Sequence, residues 1–192
     1  MSTRGLLVVI AGPSGVGKGT VHRRLRELAP DVRLSVSATT RAPRPGERDG
    51  HDYHFVDREA FERMARDGEL LEWASYAGNL YGTPRSAVEA EVAAGRVVLL
   101  EIEVQGARQI KERVPDALLV FVAPPSLEEL ERRLAGRGTE EAAVVARRLE
   151  VARRELEARD DFDHVVVNDD VDRCAAEVQR LIDHARCPGA RA

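Results

Sequence analysis

Six consecutive apolar residues, Leu6–Ala11, run directly into "GPSGVGKGT" (Gly12 to Thr20), and a helical pattern opens immediately behind that loop. A short apolar run bounded by glycine reads as a strand buried on both faces. A glycine-rich turn between such a strand and a helix is the setting in which backbone N–H groups converge on a phosphate. The glycines let peptide groups turn toward an anion, the helix N-terminus adds its partial positive charge, and Lys18 contributes a point charge. Gly12, Pro13, Ser14, Gly15, Val16, Gly17, Lys18, Gly19 and Thr20 are therefore expected around the phosphates of a nucleotide. One step departs from the usual loop. The position after the lysine, where Ser or Thr would offer a hydroxyl to a magnesium ion, is Gly19.

Further Val- and Leu-rich runs at "VVLLEI" (97–102), "ALLVFVA" (117–123) and "HVVVN" (164–168) read as strands of the same buried kind, separated by amphipathic helical segments. This alternation predicts an α/β fold with a central parallel sheet flanked by helices. Two stretches break the rhythm. Residues 37–83 carry Pro and Gly punctuation and then "YHFV" and "ELLEWASYAGNLYG" around the helical "DREAFERMARDG", which predicts a small, mostly antiparallel lobe. Residues 127–160 read as nearly all helix, with "GRG" as a hinge.

At 192 residues and 43% hydrophobic, the chain is long enough to bury a core as one folded unit. Charges of both signs are interspersed and the net is −4, so no surface is built to neutralise a nucleic-acid backbone. The opening apolar run is too short for a signal peptide or a membrane span, and the two cysteines, Cys174 and Cys187, lack zinc-site spacing. A cytoplasmic protein with reduced thiols and no membrane or nucleic-acid partner is expected. His51 and His54 in "HDYH" read as a solvated loop rather than a metal site.

A second phosphate site is suggested by "SVSATTRAPRPGERDGHDYHF" (35–55), where Arg41 and Arg44 lie in a proline-stiffened loop shortly before Tyr53. Guanidinium forks and a phenol suit the oxygens of a terminal phosphate, although arginines in such a loop are more often simply solvated. Glu101 and Glu103 end the "VVLLEIE" strand, where ligands collect in open α/β sheets, and their spacing along a strand puts both on one side.

These separated motifs, with "DYHFV", "LLEWASYAGNLYGTP", "EIEVQGA", "RRLAGRG", "ARRLEVARREL" and "VVVNDD", resemble the guanylate kinase family over roughly residues 5–185. The resemblance implies a P-loop kinase with a central parallel sheet, a small mostly antiparallel GMP-binding lobe (37–83) and a helical lid (127–160). The remaining core would be 5–36, 84–126 and 161–187. It implies transfer of the γ-phosphoryl group of MgATP to GMP, and to dGMP, in purine nucleotide metabolism, with Mg2+ as the metal accompanying ATP. By the same resemblance Arg41, Arg44, Tyr53 and Tyr81 would grip the GMP phosphate, while Ser37, Glu72, Thr83 and Glu103 would serve the guanine. Arg133 and Arg137 would reach ATP, and Lys18, Arg41, Arg137 and Arg148 would act on the transferring group. Glu101 would meet the metal through water. Arg133 also lies four residues after Glu129, which fits a plain helix ion pair.

The family pattern has aspartates where Glu101 and Glu103 stand, which leaves open how metal and guanine contacts divide between them. Oligomeric state, monomer or homodimer, is also open. Alternative readings are a related small phosphotransferase with another acceptor, a phosphopeptide-binding guanylate-kinase-like module, and a GTP-hydrolysing switch. The intact lysine loop weighs against the second, and the absence of "Asp-x-x-Gly" and "Asn-Lys-x-Asp" segments weighs against the third.

Overall fold

The first apolar run forms strand β1 (Leu6–Ala11), buried at every residue. The computed structural model describes residues 5–135 and 142–187, with the side chains of 142–146 left out of the description. After β1 come α1 (Lys18–Leu28), β2 (Val32–Leu34), β3 (Ala38–Thr39), β4 (His54–Phe55), α2 (Arg58–Arg66), β5 (Leu70–Tyr76), β6 (Asn79–Pro84) and α3 (Arg85–Ala93). Then follow β7 (Val97–Glu101), α4 (Val104–Arg113), β8 (Leu118–Ala123), α5 (Leu127–Ala135), α6 (Ala142–Glu157), a 3-10 turn (Ala158–Asp161), β9 (His164–Val167) and α7 (Val171–Arg186).

A parallel sheet in the order β2-β7-β1-β8-β9 forms the centre. Because side chains alternate along a strand, each central strand feeds two cores. Leu6, Val8 and Ile10 join Val97, Leu99, Val120 and Val122 in a core that also takes Val21 and Leu25 of α1 and Val178 and Ile182 of α7. Leu7 and Val9 join Val98, Leu100, Leu119 and Phe121 against Val88 of α3 and Ala107 and Ile110 of α4. Strands covered on both faces explain the unbroken apolar runs in the sequence. The edge strand β2 has no counterpart among the predicted strands. It has only Val32, Arg33 and Leu34, too few for a pattern to register, and Arg33 is exposed.

A second sheet, ordered β4-β3-β6-β5, is antiparallel except for the β3/β4 pair and packs Phe61 of α2 into a small core with Ala38, Leu70 and Leu80. The hairpin between β5 and β6 turns through Ala77 and Gly78, both at positive φ, which is the twist a two-residue hairpin needs. Neighbouring residues of β5 point to opposite faces, so Leu70 enters this small core while Leu71 packs with Val88, Ala107 and Ile110 beside the central sheet. β5 thereby joins the two sheets, with a register shift between Leu70 and Glu72. Gln109 of α4 reinforces the joint: its side-chain amide accepts from the Trp73 N–H at 3.3 Å and donates to the Trp73 carbonyl at 2.8 Å, as a neighbouring strand would.

Candidate active site

The loop behind β1 is held in shape from outside. Gly17 caps α1 at φ 99°, a left-handed conformation, and a Cβ there would stand 2.6 Å from Asn168 Nδ2. Asn168, buried just past β9, donates from Nδ2 to the Val16 carbonyl at 2.7 Å, and its own N–H donates to the Ala123 carbonyl at 2.8 Å. Arg133 of α5 donates to the same Val16 oxygen at 3.2 Å and to the Asn168 carbonyl at 3.0 Å, while its Nε pairs with Glu129 at 2.8 Å. With the Val16 carbonyl held on one side, the trans peptide sends the Gly17 N–H the opposite way. Lys18 Nζ donates to the Gly12 carbonyl at 2.6 Å, closing the loop end to end. Arg148 of α6 donates to Ser14 Oγ at 2.8 Å.

Beside the loop lies a cavity of about 600 Å³ that brings together Lys18, Ser37, Arg41, Arg44, Tyr53 and Tyr81. Glu72, Glu101 and Glu103 line the same cavity. Arg41 donates from Nη2 to Glu47 at 2.8 Å and from Nη1 to the Ala42 carbonyl at 2.7 Å, with its guanidinium 5.3 Å from the centre of the Tyr53 ring. Glu47 also accepts from the Arg44 N–H at 2.7 Å. The Arg41 hydrogen bond, then the Arg44 N–H, hold the Glu47 carboxyl below its usual range. Tyr53 and Tyr81 meet edge to face, with ring centres 6.1 Å apart.

Glu72 is the deepest charge in this cavity, 3% exposed. Thr83 Oγ1 donates to its Oε1 at 2.6 Å. Burial outweighs that bond and the pull of Arg113, and the carboxyl is pushed up to about 7. Its Oε2 lies against α4 at Gly106, where a Cβ would come within 2.4 Å. The glycine of "VQGA" therefore leaves room for a carboxylate.

β7 ends at Glu101, and Glu103 is the N-cap of α4. The pair thus shares the cavity because the chain turns, and not through the strand alternation expected from the spacing. Glu101 accepts a 2.6 Å hydrogen bond from His22 Nδ1 on α1. Glu103 faces Glu155 of α6, whose carboxyl is raised to about 7, first by burial and then by Glu103, against the pull of Lys18. Arg133 and Arg148 attach to the loop rather than lining the cavity, and Arg137 lies outside the described residues. Glu47, Asn168, Glu155 and His22 carry no pattern of their own in the sequence. Only the tertiary contacts single them out, although Asn168 falls in the quoted "VVVNDD" and Glu47 in "RPGE".

A phosphate loop behind the first apolar strand of a parallel sheet, opening onto a cavity that pairs arginines with a buried carboxylate, defines a P-loop kinase of the nucleoside monophosphate type. The family model for guanylate kinase matches residues 4–185. A guanylate kinase of Synechococcus sp. (strain JA-3-3Ab) is 53% identical, with 94% of this chain and 83% of the relative aligned. One of Thermobifida fusca is 57% identical over 92% of this chain and 90% of the relative. The crystal structure of guanylate kinase from Anaplasma phagocytophilum superimposes with a TM-score of 0.81 at 36% identity, covering 99% of this chain and 90% of that one. The chain belongs to the guanylate kinase family. It is an ATP:GMP phosphotransferase, the reaction of that family. Among the described residues no helix is long and apolar enough to cross a membrane.

Proposed function

We propose that the residues assembled around the loop and cavity carry out direct in-line transfer of the γ-phosphoryl group from MgATP to GMP or dGMP, with no covalent enzyme intermediate. The observation that carries this reading is Glu72. It is a buried carboxylate held by Thr83 in the same cavity that Lys18 lines, able to accept the ring N–H and exocyclic amine of guanine. Adenine presents the wrong donor pattern there, and a mismatched buried polar group discriminates strongly. Ser37 and Glu103 complete the guanine end, and Arg41, Arg44, Tyr53 and Tyr81 hold the monophosphate.

No general base is needed, because the attacking oxygen belongs to a phosphate whose second pKa is about 6. The chain's task is to hold two anions in line and steady the moving charge. Lys18 would exchange its Gly12 carbonyl for ATP phosphate oxygens, Arg41, Arg148 and Arg137 would act on the transferring group, and Arg133 supports the ATP loop. Residues 127–160 act as a lid and 37–83 as the GMP lobe, closing to exclude water that would hydrolyse ATP. The setting is cytoplasmic purine nucleotide metabolism.

Magnesium fits the residues present. Among the described residues no group of three or more His, Cys, Asp or Glu could cage a metal. Glu101 and Glu103 bring hard carboxylate oxygens into the cavity beside Lys18, and such an ion takes few of these together with waters and substrate phosphates. Glu101 would hold it through water; when bound, it would offset phosphate charge and orient the γ-phosphoryl group. A coupled assay comparing GMP, dGMP, AMP, CMP and UMP tests the acceptor reading. Turnover confined to the guanine nucleotides supports it, and equal turnover of AMP removes Glu72 from the base site.

A further inference from the structure

We infer that His22 is a positioning residue for this reaction, one that fixes the Glu101 carboxylate beside Gly19 so that β7 supplies, through a metal-bound water, the oxygen contact that the phosphate loop itself lacks. His22 stands one helical turn after Lys18, on the same face of α1, and both line the cavity. Its Nδ1 lies 2.6 Å from Glu101 Oε2, with the imidazole 19% and the carboxylate 29% exposed. A carboxylate oxygen accepts, so Nδ1 is the donor, and a bond of this length fixes both side chains.

The loop explains why such a fixture matters. Ordinarily a Ser or Thr after the lysine brings an oxygen to the metal from the loop itself. Here position 19 is glycine, and a Cβ built on it would meet only the Glu101 oxygens, at 3.9 and 4.0 Å. The carboxylate therefore borders the space into which a loop hydroxyl would project. It arrives there on a long, freely rotating side chain, whereas a loop hydroxyl is placed by the backbone. A hydrogen bond from a second, helix-borne residue removes that freedom. Partners that orient a metal-facing carboxylate commonly change metal affinity by about 10- to 100-fold when they are removed.

The inference rests on the proposed role of Glu101 toward magnesium, and calorimetry on the full chain separates the two. Binding of MgADP, of ADP in EDTA and of GMP is measured for the parent, His22→Ala, His22→Asn, Glu101→Gln and the Gly19→Ser/His22→Ala double variant, with thermal melting as a check on folding. His22→Ala is expected to weaken MgADP by about tenfold, with metal-free ADP and GMP changed less than about twofold. His22→Asn, whose amide nitrogen stands near the place of Nδ1, restores most of the loss, as does Gly19→Ser by returning a loop hydroxyl. Parental MgADP affinity in His22→Ala beside a weakened Glu101→Gln overturns the role of His22 alone. Parental affinity in both variants overturns the Glu101 reading as well. A loss in His22→Ala that neither the His22→Asn exchange nor Gly19→Ser repairs shows a merely structural histidine and overturns the positioning role.

Discussion

Thr83 Oγ1 donates to Glu72 Oε1 at 2.6 Å, between neighbouring strands and shielded from solvent, yet that bond does not keep the carboxyl in its ordinary range. Desolvation is the larger effect, and the group is held at about 7 instead of 4.5. Because the folded value is raised, the folded state binds the extra proton between these two values. Stability from this group is complete below pH 4.5 and is lost as pH rises through 7. Glu72→Gln keeps the Thr83 acceptor and removes the titration. The stability of the variant, read from thermal melting, is expected to fall less than that of the parent between pH 5 and pH 8, the difference reaching on the order of 3 kcal/mol. Parallel curves would show that Glu72 does not titrate in this window.

The same carboxyl must be ionised to accept both guanine donors. The KM for GMP is therefore expected to rise about tenfold between pH 8 and pH 6, with the KM for ATP changing much less. Steady-state kinetics at saturating ATP would show it. The phosphate of GMP titrates in this range too, so the diagnostic component is the part of the slope that disappears in Glu72→Gln.

Gly106 and Glu72 make a prediction of steric origin. An alanine at 106 would put its Cβ 2.4 Å from Glu72 Oε2, so the carboxylate must move. A loss of about 1–3 kcal/mol in stability is expected, as for other overpacked interiors. GMP affinity should drop by at least about tenfold while MgATP binding is retained. Calorimetry with each nucleotide separately distinguishes this from a general loss of fold.

Asn168 governs the other site. Asn168→Ala removes the donor to the Val16 carbonyl and leaves Arg133 alone to hold the back of the loop. A cost of about 1–3 kcal/mol is expected, and it should be read chiefly as a raised KM for ATP. An unchanged KM for ATP would mean that the loop holds its shape without this support.

The sequence made some of these features legible and concealed others, for physical reasons. β1 and the loop stand out because a strand buried on both faces and a run of glycines are both local patterns. One member of the five-stranded sheet, β2, escapes detection because three residues with Arg33 in the middle carry no periodicity. The spacing of Glu101 and Glu103 suggests a shared face through strand alternation, but β7 stops at the first and α4 begins after the second. Arg133 is open to two readings in the sequence. Its bonds to Glu129, Val16 and Asn168 place it behind the loop. His22, Glu47, Asn168 and Glu155 act through tertiary partners, and no pattern in the chain marks them for those partners.

Lys18→Met is expected to abolish turnover while the fold persists, since the lysine reaches back to the Gly12 carbonyl and lines the cavity rather than the core. Circular dichroism and melting would remain near parental values. A variant that turns over at more than about a tenth of the parental rate would remove Lys18 from the charge-stabilising set.

In the proposed mechanism two phosphorylated nucleotides are held end to end and a phosphoryl group passes straight from one to the other. Chromatographic quantification of products from purified protein with ATP, GMP and magnesium tests this. ADP and GDP should form in equal amounts with no release of inorganic phosphate; ADP accompanied by free phosphate and no GDP would contradict it.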